Sequence, residues 1–563
     1  MKEEIVLKKS LFVLSMLFLF MAFPLFPQEE NAAEAETPLP SPDIIENQDE
    51  NQLYVIAAFE FDIKGRTRPY ALIRTGEFRI GEKLQGLANL EAYISDKTQV
   101  LVNQRILKDN ANITYAIGEQ QEDDSWPVTL LIKVEDSFNI IALPRPFYKT
   151  DSGFDLTIKA RDYNFLGTMN PLRVDFGYQY DENQNSSFQL GVFSNTPFRA
   201  FGYNWNVRFD NTLSYRPQTD ETIYYQNNTG LSMELPFGLT TLTVGFEESL
   251  NFNEENTARN KIANGKTGGE WINRLYYGKD FQHGLYMSSK MYASWEIPTG
   301  FMVSRFGELT YTPGISATFN HQLPDWPLQE FLQGPFLGLS QSLGFERIDW
   351  HANYRDGLSV SAGNAYTYDF SSQRAGKELV SLSLNATGIG HFIISDFFAI
   401  STRLMYRHWF YHEPDYYTEA GNVLRGMSDK RISATGMLSL NMDFPLRILR
   451  FTPSKWFNKH KLSFFDFEFH LAPVIDLALY NGYLIYTKRD SAGWYRETEK
   501  KVSFHPKNIA ATSGLELVVF SEFMRNLYIR LGLAWNLRDI SGKKPYLPSG
   551  ENREIYLIMG HFY

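Results

Sequence analysis

From residue 155 to the end of this 563-residue chain, segments of alternating apolar and polar side chains follow one another, separated by connections rich in Asn, Asp, Gly and Pro. Alternation with a period of two is typical of a β-strand that has one apolar and one polar face. Beyond the N-terminus, no apolar run approaches the roughly 20 residues that a membrane-spanning helix needs. The pattern predicts a mainly β protein, and the lack of a visible repeat disfavours the alternative of a soluble β-helix or propeller.

The composition indicates strands that face lipid. Phe, Tyr and Trp make up 15% of the residues, whereas the mean hydropathy is only −0.31. A membrane barrel reconciles these values, because each strand has only one apolar face and aromatic girdles line both interfaces. We therefore predict a 16-stranded antiparallel transmembrane β-barrel at residues 155–563, with about 26 residues for each strand and its connection.

Charge and motif content exclude several classes of function. The formal net charge of −11 argues against nucleic acid as a partner. The absence of cysteine excludes disulfides, thiolate zinc sites and a lipid-modified N-terminal cysteine. We find no nucleophile elbow, no zinc-protease motif, no phosphate-binding glycine loop and no histidines at metal-ligand spacing. We expect a protein that is not an enzyme and that has no catalytic residues, metal site or cofactor.

An export signal is predicted at residues 1–28. Lys8 and Lys9 precede an uncharged apolar stretch, residues 11–26, which is too short to favour a membrane anchor. Residues 29–52, rich in Glu, Ala, Pro and Asn, are predicted to form a disordered acidic linker.

Residues 53–140 predict a small α+β domain. The predicted elements are a strand at 55–63, helices at 69–77 and 87–101, and strands at 113–115 and 128–134. The order strand, helix, helix, strand, strand resembles that of a POTRA domain, a periplasmic module. Another exported α+β domain is the alternative.

Four segments stand out in order along the barrel region. They are a turn motif, Asp162-Tyr163-Asn164-Phe165-Leu166-Gly167; a loop motif, Leu424-Arg425-Gly426-Met427; the strand end Asn441-Met442-Asp443-Phe444-Pro445-Leu446; and a strand at 474–479 that contains Asp476. Five predicted strands follow the loop motif, and the chain ends on Phe562-Tyr563.

Behind a POTRA-like domain and ahead of an aromatic terminus, these segments resemble the superfamily of BamA, TamA and the two-partner-secretion pores, the bacterial surface antigen family. The resemblance implies that the turn motif follows the first barrel strand. It also implies that the loop motif is the tip of the sixth extracellular loop, and that Asp476 faces the interior of the barrel.

The resemblance and the chemistry of arginine together predict a latch inside the barrel. A guanidinium in the lumen is costly unless it meets a carboxylate, ideally as a bidentate pair. We expect Asp476 to be the partner of Arg425. The superfamily's other usual carboxylate position is Asn441 here, but Asp443 shares its strand parity and faces the same side. The alternatives are a solvent-exposed Arg425 and an Asp476 that is an ordinary polar residue of the lumen.

The last strand, from residue 553 onward, lacks a clean polar face. We expect it to pair imperfectly with the first strand near residues 156–160. The predicted seam residues are Leu156, Ile158, Gly560, Phe562 and Tyr563. An unsealed strand edge can serve as a template for a client strand, which is what the resemblance to insertases implies. The alternative is that Phe562-Tyr563 is only the protein's own assembly signal.

The resemblance implies a protein of the bacterial outer membrane, with its POTRA-like domain in the periplasm, that assembles or translocates polypeptides. The expected partners are outer-membrane lipid, unfolded outer-membrane or secreted client proteins, and periplasmic factors that bind the POTRA-like domain. The alternatives are a pore that exports one dedicated protein and a passive channel or structural surface protein. A single POTRA-like domain favours a specialised relative, because the central insertases of the superfamily usually carry several.

Overall fold

The structure is a computed structural model that describes most of the chain after residue 51. The described residues are 52–149, 153–180, 186–216, 222–252, 260–262, 273–275, 285–321, 334–370, 380–410, 418–419, 423–426, 433–490, 493–502, 504–506, 509–537 and 553–559. The predicted signal and linker at residues 1–28 and 29–52 therefore lie almost wholly outside them.

The first elements form a small α+β domain. They are β1 (Leu53–Lys64), α1 (Pro69–Gly76), β2 (Lys83–Gln85), α2 (Leu87–Asn103), β3 (Asn112–Ile117) and β4 (Ser125–Glu135). The sheet order is β2-β1-β4-β3, with β1 parallel to β4. Leu72, Leu90, Leu101, Leu130 and Ile132 are fully buried where the helices meet the sheet. The predicted order of strands and helices is present, with β2 as a short additional edge strand.

The remaining strands build a closed barrel and its extensions. They are β5 (Ile140–Lys149), β6 (Gly153–Asp162), β7 (Leu172–Tyr180), β8 (Ser186–Ala200), β9 (Tyr203–Arg216), β10 (Thr222–Phe237), β11 (Thr240–Phe252), β12 (Asn260–Ile262), β13 (Asn273–Leu275), β14 (Leu285–Met302), β15 (Glu308–His321), β16 (Phe336–His351), β17 (Tyr354–Asp369), β18 (Val380–Ser395), β19 (Phe398–Phe410), β20 (Thr418–Glu419), β21 (Ser433–Ala434), β22 (Gly436–Asp443), β23 (Leu446–Phe451), β24 (Phe467–Asp490), β25 (Gly493–Val502), β26 (Ala510–Ser521), β27 (Tyr528–Asn536) and β28 (Arg553–Met559). A four-residue helix, α3 (Pro453–Trp456), follows β23.

The barrel confirms the predicted mainly β fold, but its wall holds more strands than predicted. In the described part of the chain, 19 antiparallel strands form the main sheet, and β28 closes the barrel beside β5. Because β22 and β23 lie end to end along β24, these strands fill eighteen positions around the wall rather than 16. The short strands β12, β13, β20, β21 and β25 lie outside this wall, at the end opposite the α+β domain.

The barrel also begins earlier than residue 155. Strand β5 pairs along its whole length with β6, from Ile140 opposite Asp162 to Lys149 opposite Gly153. Pro144 and Pro146 interrupt the sequence signal for this strand, since proline lacks the N–H group that a sheet interior requires. Both prolines share one parity, so the two missing donors lie on the same side of β5.

The two faces of the wall differ in polarity. Leu231, Phe246 and Met291 face each other across three adjacent strands and are 43%, 42% and 57% exposed on the outer face. In the neighbouring row, of opposite parity, the ammonium of Lys290 lies 3.3 Å from the carboxylate of Glu247. An apolar outside and a charged inside are what a barrel in a lipid bilayer requires. Among the described helices, none is both long enough and apolar enough to cross a membrane.

The turn motif between β6 and β7 holds the α+β domain against the barrel. The guanidinium of Arg66 donates to both carboxylate oxygens of Asp162, at 3.1 and 2.9 Å. The fully buried amide of Asn164 donates to Thr67 Oγ1 at 2.8 Å and to Asp136 at 3.0 Å. The motif thus follows the second wall strand instead of the first, because β5 precedes the strand that ends at Asp162.

Three further parts of the wall at this end of the barrel also contact the domain. Asp96 pairs with Arg347 at 2.9 Å, and Tyr70 donates to the carbonyl of Pro197 at 3.2 Å. Arg525, in the turn between β26 and β27, donates to the carbonyl of Leu107 at 2.7 Å. Since Pro197 lies on β8, Arg347 on β16 and Arg525 between β26 and β27, these contacts come from separate parts of the wall, and the domain bridges the barrel opening. We call this end of the barrel the domain end.

Gly167 is required where the turn motif meets the domain. Its φ of +73° lies in the left-handed region, and a Cβ atom there would be 2.1 Å from the carbonyl oxygen of Arg66. Its own carbonyl accepts the backbone N–H of Arg68 at 3.0 Å.

We expect Gly167→Ala to loosen the attachment of the domain, whereas Gly202→Ala should not. Gly202 has a similar φ of +83° in another turn at the domain end, but a Cβ atom there meets nothing within 4 Å. Both variants carry the same left-handed strain, and only the first has the clash. Hydrogen–deuterium exchange of the segment around Arg68 should be at least about tenfold faster in Gly167→Ala, equivalent to ~1.4 kcal/mol of local stability. Equal exchange in the two variants would contradict this role.

Candidate functional site: a buried arginine between the loop and the barrel wall

The connection between β19 and β22 enters the interior of the barrel at residues 423–426. Leu424 and Arg425 are only 1% and 2% exposed. Met427, the last residue of the predicted loop motif, lies outside the described residues. The alternative of a solvent-exposed Arg425 is therefore wrong.

Arg425 makes a bidentate pair with Asp476 on β24. Its Nε and Nη2 atoms donate to the two carboxylate oxygens at 2.9 and 2.5 Å, and its backbone N–H donates to the same carboxylate at 2.8 Å. Its Nη1 atom donates to Asp443 on β22 at 2.5 Å. The loop is thus held by two carboxylates from neighbouring wall strands.

A second buried arginine extends this network to two more wall strands. Arg530 on β27 donates to Glu516 on β26 through Nε at 2.8 Å and to Asp443 through Nη2 at 2.8 Å. Glu516 also lies 3.3 Å from Nη1 of Arg425. We call Arg425, Asp443, Asp476, Glu516 and Arg530 the loop network. Its two guanidinium and three carboxylate groups are all at most 6% exposed.

Asn441 contacts both an arginine of the wall and the backbone of the loop. Its side-chain oxygen accepts two hydrogen bonds from the guanidinium of Arg403, at 3.1 and 2.8 Å. Its amide nitrogen donates to the carbonyl of Val423 at 2.7 Å. Asn441 therefore holds the loop backbone two residues before Arg425, and a carboxylate could not make that donation.

Gly426 is the residue that lets the loop approach the wall. Its φ is +83°, and a Cβ atom there would lie 2.9 Å from the backbone carbon of Ala534 on β27. The loop backbone thus packs directly on a wall strand, which explains why glycine follows the arginine.

Two residues of the last strand, β28, also contact the loop and its network. Glu554 accepts the backbone N–H of Gly426 at 2.8 Å. The hydroxyl of Tyr556 donates to Glu516 at 2.5 Å. Gly532 lies between Glu516 and Tyr556 in one cross-strand row, and the ring of Tyr556 lies over it. A Cβ atom at Gly532 would be 2.2 Å from this ring. The absence of a side chain at Gly532 is what allows Tyr556 to reach Glu516.

None of the predicted seam residues is observed at the seam: two lie elsewhere in the wall, and three lie outside the described residues. Leu156 and Ile158 lie on β6, which pairs with β5 on one side and β7 on the other. The seam lies between β28 and β5, so placing these two residues at the seam was wrong. The cause is the same missed strand, β5, that displaced the start of the barrel. Gly560, Phe562 and Tyr563 lie outside the described residues.

The site residues predicted from the sequence do not include Glu516, Arg530, Glu554 and Tyr556. A signal for the first two exists, because each is a single charged residue between apolar neighbours on a predicted strand, in Leu515-Glu516-Leu517 and Ile529-Arg530-Leu531. Such a residue faces the interior when its neighbours face lipid. Their contact with Arg425 depends on the lateral register of four strands, which the pattern does not specify.

A third arginine lies at the junction of the domain and the barrel. Arg105 is 7% exposed and donates to the carbonyl of Ala352 at 3.2 Å and to Asn353 Oδ1 at 3.0 Å, with its guanidinium 4.3 Å from the ring centroid of Trp350. Burial, and then the charge of Arg525, lower the pKa of Arg105. The side chain nevertheless remains a cation at neutral pH, held by neutral acceptors and an aromatic face.

The loop network is an arrangement of buried ion pairs that is suited to a structural role. Each carboxylate of the network is paired with a guanidinium. In the part of the chain that the structure describes, no group of three or more His, Asp or Glu residues is arranged to hold a metal ion.

Comparisons with known proteins give structural matches only. No protein-family model matches the chain, and no curated protein matches it. Solved structures that match include BamA from Haemophilus ducreyi lacking POTRA domains 1–3, at 12% identity, covering 90% of this chain and 84% of that one, with a TM-score of 0.37. CdiB from Acinetobacter baumannii matches at 14% identity over 86% of this chain and 70% of that one, with a TM-score of 0.40. CdiB from Escherichia coli matches at 10% identity over 99% and 97%, with a TM-score of 0.37.

We expect Arg425→Ala to destabilise the barrel by about 3–5 kcal/mol, because it leaves buried carboxylates without their cation. The lower midpoint of urea unfolding and the smaller heat-modifiable fraction on gels would measure the loss. Arg305→Ala, which removes an arginine that is 65% exposed and paired with Asp356, should change stability by less than about 1 kcal/mol. A normal unfolding midpoint for Arg425→Ala would mean that the loop network does not hold the barrel together.

We expect Tyr556→Phe to cost about 1–3 kcal/mol, because it leaves Glu516 with one donor fewer while keeping the ring over Gly532. Tyr366→Phe is the matched control, since Tyr366 lies on the outer face of β17 and is 38% exposed. Hydrogen–deuterium exchange of β28 should increase in the first variant and stay unchanged in the control. If both variants exchange alike, the hydroxyl of Tyr556 does not fasten the last strand.

Proposed function

We propose that this chain is an outer-membrane barrel of the BamA/TamA type that assembles or translocates other polypeptides, without enzymatic chemistry. The observation that carries the proposal is the loop network, in which Arg425 of a buried loop is fastened to Asp476 and Asp443 and linked to the last strand of the barrel. The arrangement agrees with the superfamily motifs that the sequence resembles.

The attachment of the last strand supports a barrel that opens beside it. Glu554 accepts the backbone N–H of Gly426 and Tyr556 donates to Glu516, so β28 is held by the loop and by Glu516 as well as by β27. It can then separate from β5 while it stays attached to the interior. A client strand could then pair with the freed edge by β-augmentation.

The buried loop argues against a passive channel. The side chains of Arg425, Asp476 and Glu516 meet inside the barrel and are at most 2% exposed, so part of the interior is filled by protein. The proposed partners are outer-membrane lipid, unfolded client polypeptides, and periplasmic factors that bind the exposed surface of the α+β domain. We place that domain in the periplasm, in keeping with the predicted export signal.

Purified full-length protein in lipid vesicles provides the test. We expect it to accelerate the folding of several unrelated, urea-unfolded outer-membrane barrels, followed by heat-modifiability, relative to vesicles that contain a passive porin. Depletion of the protein from cells should lower several outer-membrane proteins at once. Loss of a single exported protein, together with ion conductance in planar bilayers, would instead identify a dedicated secretion pore. An unchanged outer-membrane proteome and no acceleration would overturn the proposal.

A further prediction concerns the seam. Tyr556→Phe loosens β28 without removing a backbone group, so client folding should become faster while the barrel itself becomes less stable. Measuring the rate of client folding and the midpoint of urea unfolding on the same preparation tests whether the two change in opposite directions. An assembly rate that is unchanged despite lower stability would show that client folding does not use the seam.

A further inference from the structure

A long stretch of the chain at the domain end of the barrel carries only positive charge. Between Asp443 and Asp466 there are five Lys or Arg residues and no Asp or Glu, although the whole chain has a formal net charge of −11. This stretch contains β23, α3 and a 3₁₀ turn (His460–Phe465). We call residues 446–466 the basic hairpin.

The basic hairpin continues the wall beyond its neighbour. Strand β23 pairs with β24 from Leu446 to Phe451, but β19 meets it only at Leu446. Five residues therefore extend past the start of β19, roughly 16 Å at the usual rise of a strand. The hairpin is folded and not a loose loop, because Asp466 accepts the backbone N–H of Ser454 at 3.0 Å.

The outer face of the hairpin is apolar and ends in aromatic residues. Leu449 and Phe451 pair with Phe469 and Phe467, and strand parity places all four on the outer face, since Glu468 and His470 between them are buried. Trp456 packs edge-on against Phe451, with the ring centroids 5.0 Å apart. Trp456 and Phe457 are 59% and 65% exposed. The apolar surface of the barrel wall therefore runs without a break onto these two rings.

The charges lie next to these rings. Lys455, Lys459 and Lys461 are exposed. Lys455 lies 3.7 Å from Glu522, and Arg450 donates to the same carboxylate at 2.5 Å. For Lys459 and Lys461 the described residues show no ion pair. Exposed Trp and Phe at the edge of an apolar band, with lysines just beyond them, are what an interface between acyl chains and negatively charged headgroups attracts.

We propose that the basic hairpin binds the anionic phospholipid headgroups of the membrane leaflet at the domain end, with Trp456 and Phe457 at the level of the headgroups. The proposal rests on the proposed function only in that the barrel must lie in a membrane. It adds a lipid-binding surface on the outside of the barrel, on β23 and the segment that follows it.

The absence of native cysteine allows a single-label test. Lys459→Cys, carrying a nitroxide in full-length protein, reports the accessibility of the hairpin to a water-soluble relaxation agent. We expect accessibility to fall severalfold when vesicles of phosphatidylcholine are supplemented with phosphatidylglycerol. The fall should be reversed by high salt, which screens exposed charges, and by adding Lys455→Gln and Lys461→Gln. Leu239→Cys, a 74% exposed position in another turn at the domain end, should respond equally in both vesicles.

The outcomes separate the possible failures. Heat-modifiability reports insertion in every sample, so a chain that inserts into neither kind of vesicle overturns the proposed membrane function itself. If the chain inserts and the Lys459 label responds like the Leu239 label, the lipid-binding surface is wrong and the membrane function stands. If the label is shielded in both vesicles and deletion of the acidic residues 29–50 exposes it, the occupant is the chain's own acidic segment, which also overturns the proposal.

Discussion

The pairing of Arg425 with carboxylates inside the barrel is the interaction on which the interior depends. A buried guanidinium is costly without a carboxylate, and three buried carboxylates are costly without cations. Neither the loop nor the wall strands can therefore reach a low free energy alone. Because Asp443, Asp476, Glu516 and Arg530 come from β22, β24, β26 and β27, the loop can bind only when four adjacent strands are in register. The network thus links correct assembly of the wall to the position of the loop.

The same network fixes one side of the seam. Tyr556 reaches Glu516 across Gly532, and Glu554 accepts the N–H of Gly426, so β28 is attached to the loop as well as to β27. The last strand can therefore separate from β5 while its inner face stays fastened to the interior. A barrel organised in this way would expose a strand edge without losing the strand, which is the arrangement that β-augmentation requires.

The sequence pattern predicts only part of this arrangement. Alternation identifies strands and which residues share a face, and the resemblance to the superfamily then assigns Asp476, and Asp443 through its parity with Asn441, to the interior. It does not give the strand number. The two prolines hide β5, and that omission moved the expected seam onto Leu156 and Ile158. Contacts such as Arg425 with Glu516 span 91 residues and depend on the lateral register of strands that are joined by long connections. The contact of Tyr556 with Glu516 is even harder to predict from the sequence, since it depends on the absence of a side chain at Gly532.

The two ends of the barrel are under different constraints. At the domain end, the α+β domain contacts strand ends and turns from separate parts of the wall, while the basic hairpin lies on the outside. Arg66, Arg105 and Arg525 hold the domain through short contacts to acceptors of the same chain. Lys459 and Lys461 are instead exposed, and the described residues show no ion pair for either of them. In the proposed arrangement, the domain end is fixed from within by protein contacts and from outside by lipid charge, which leaves the seam between β28 and β5 as the place where the wall can open.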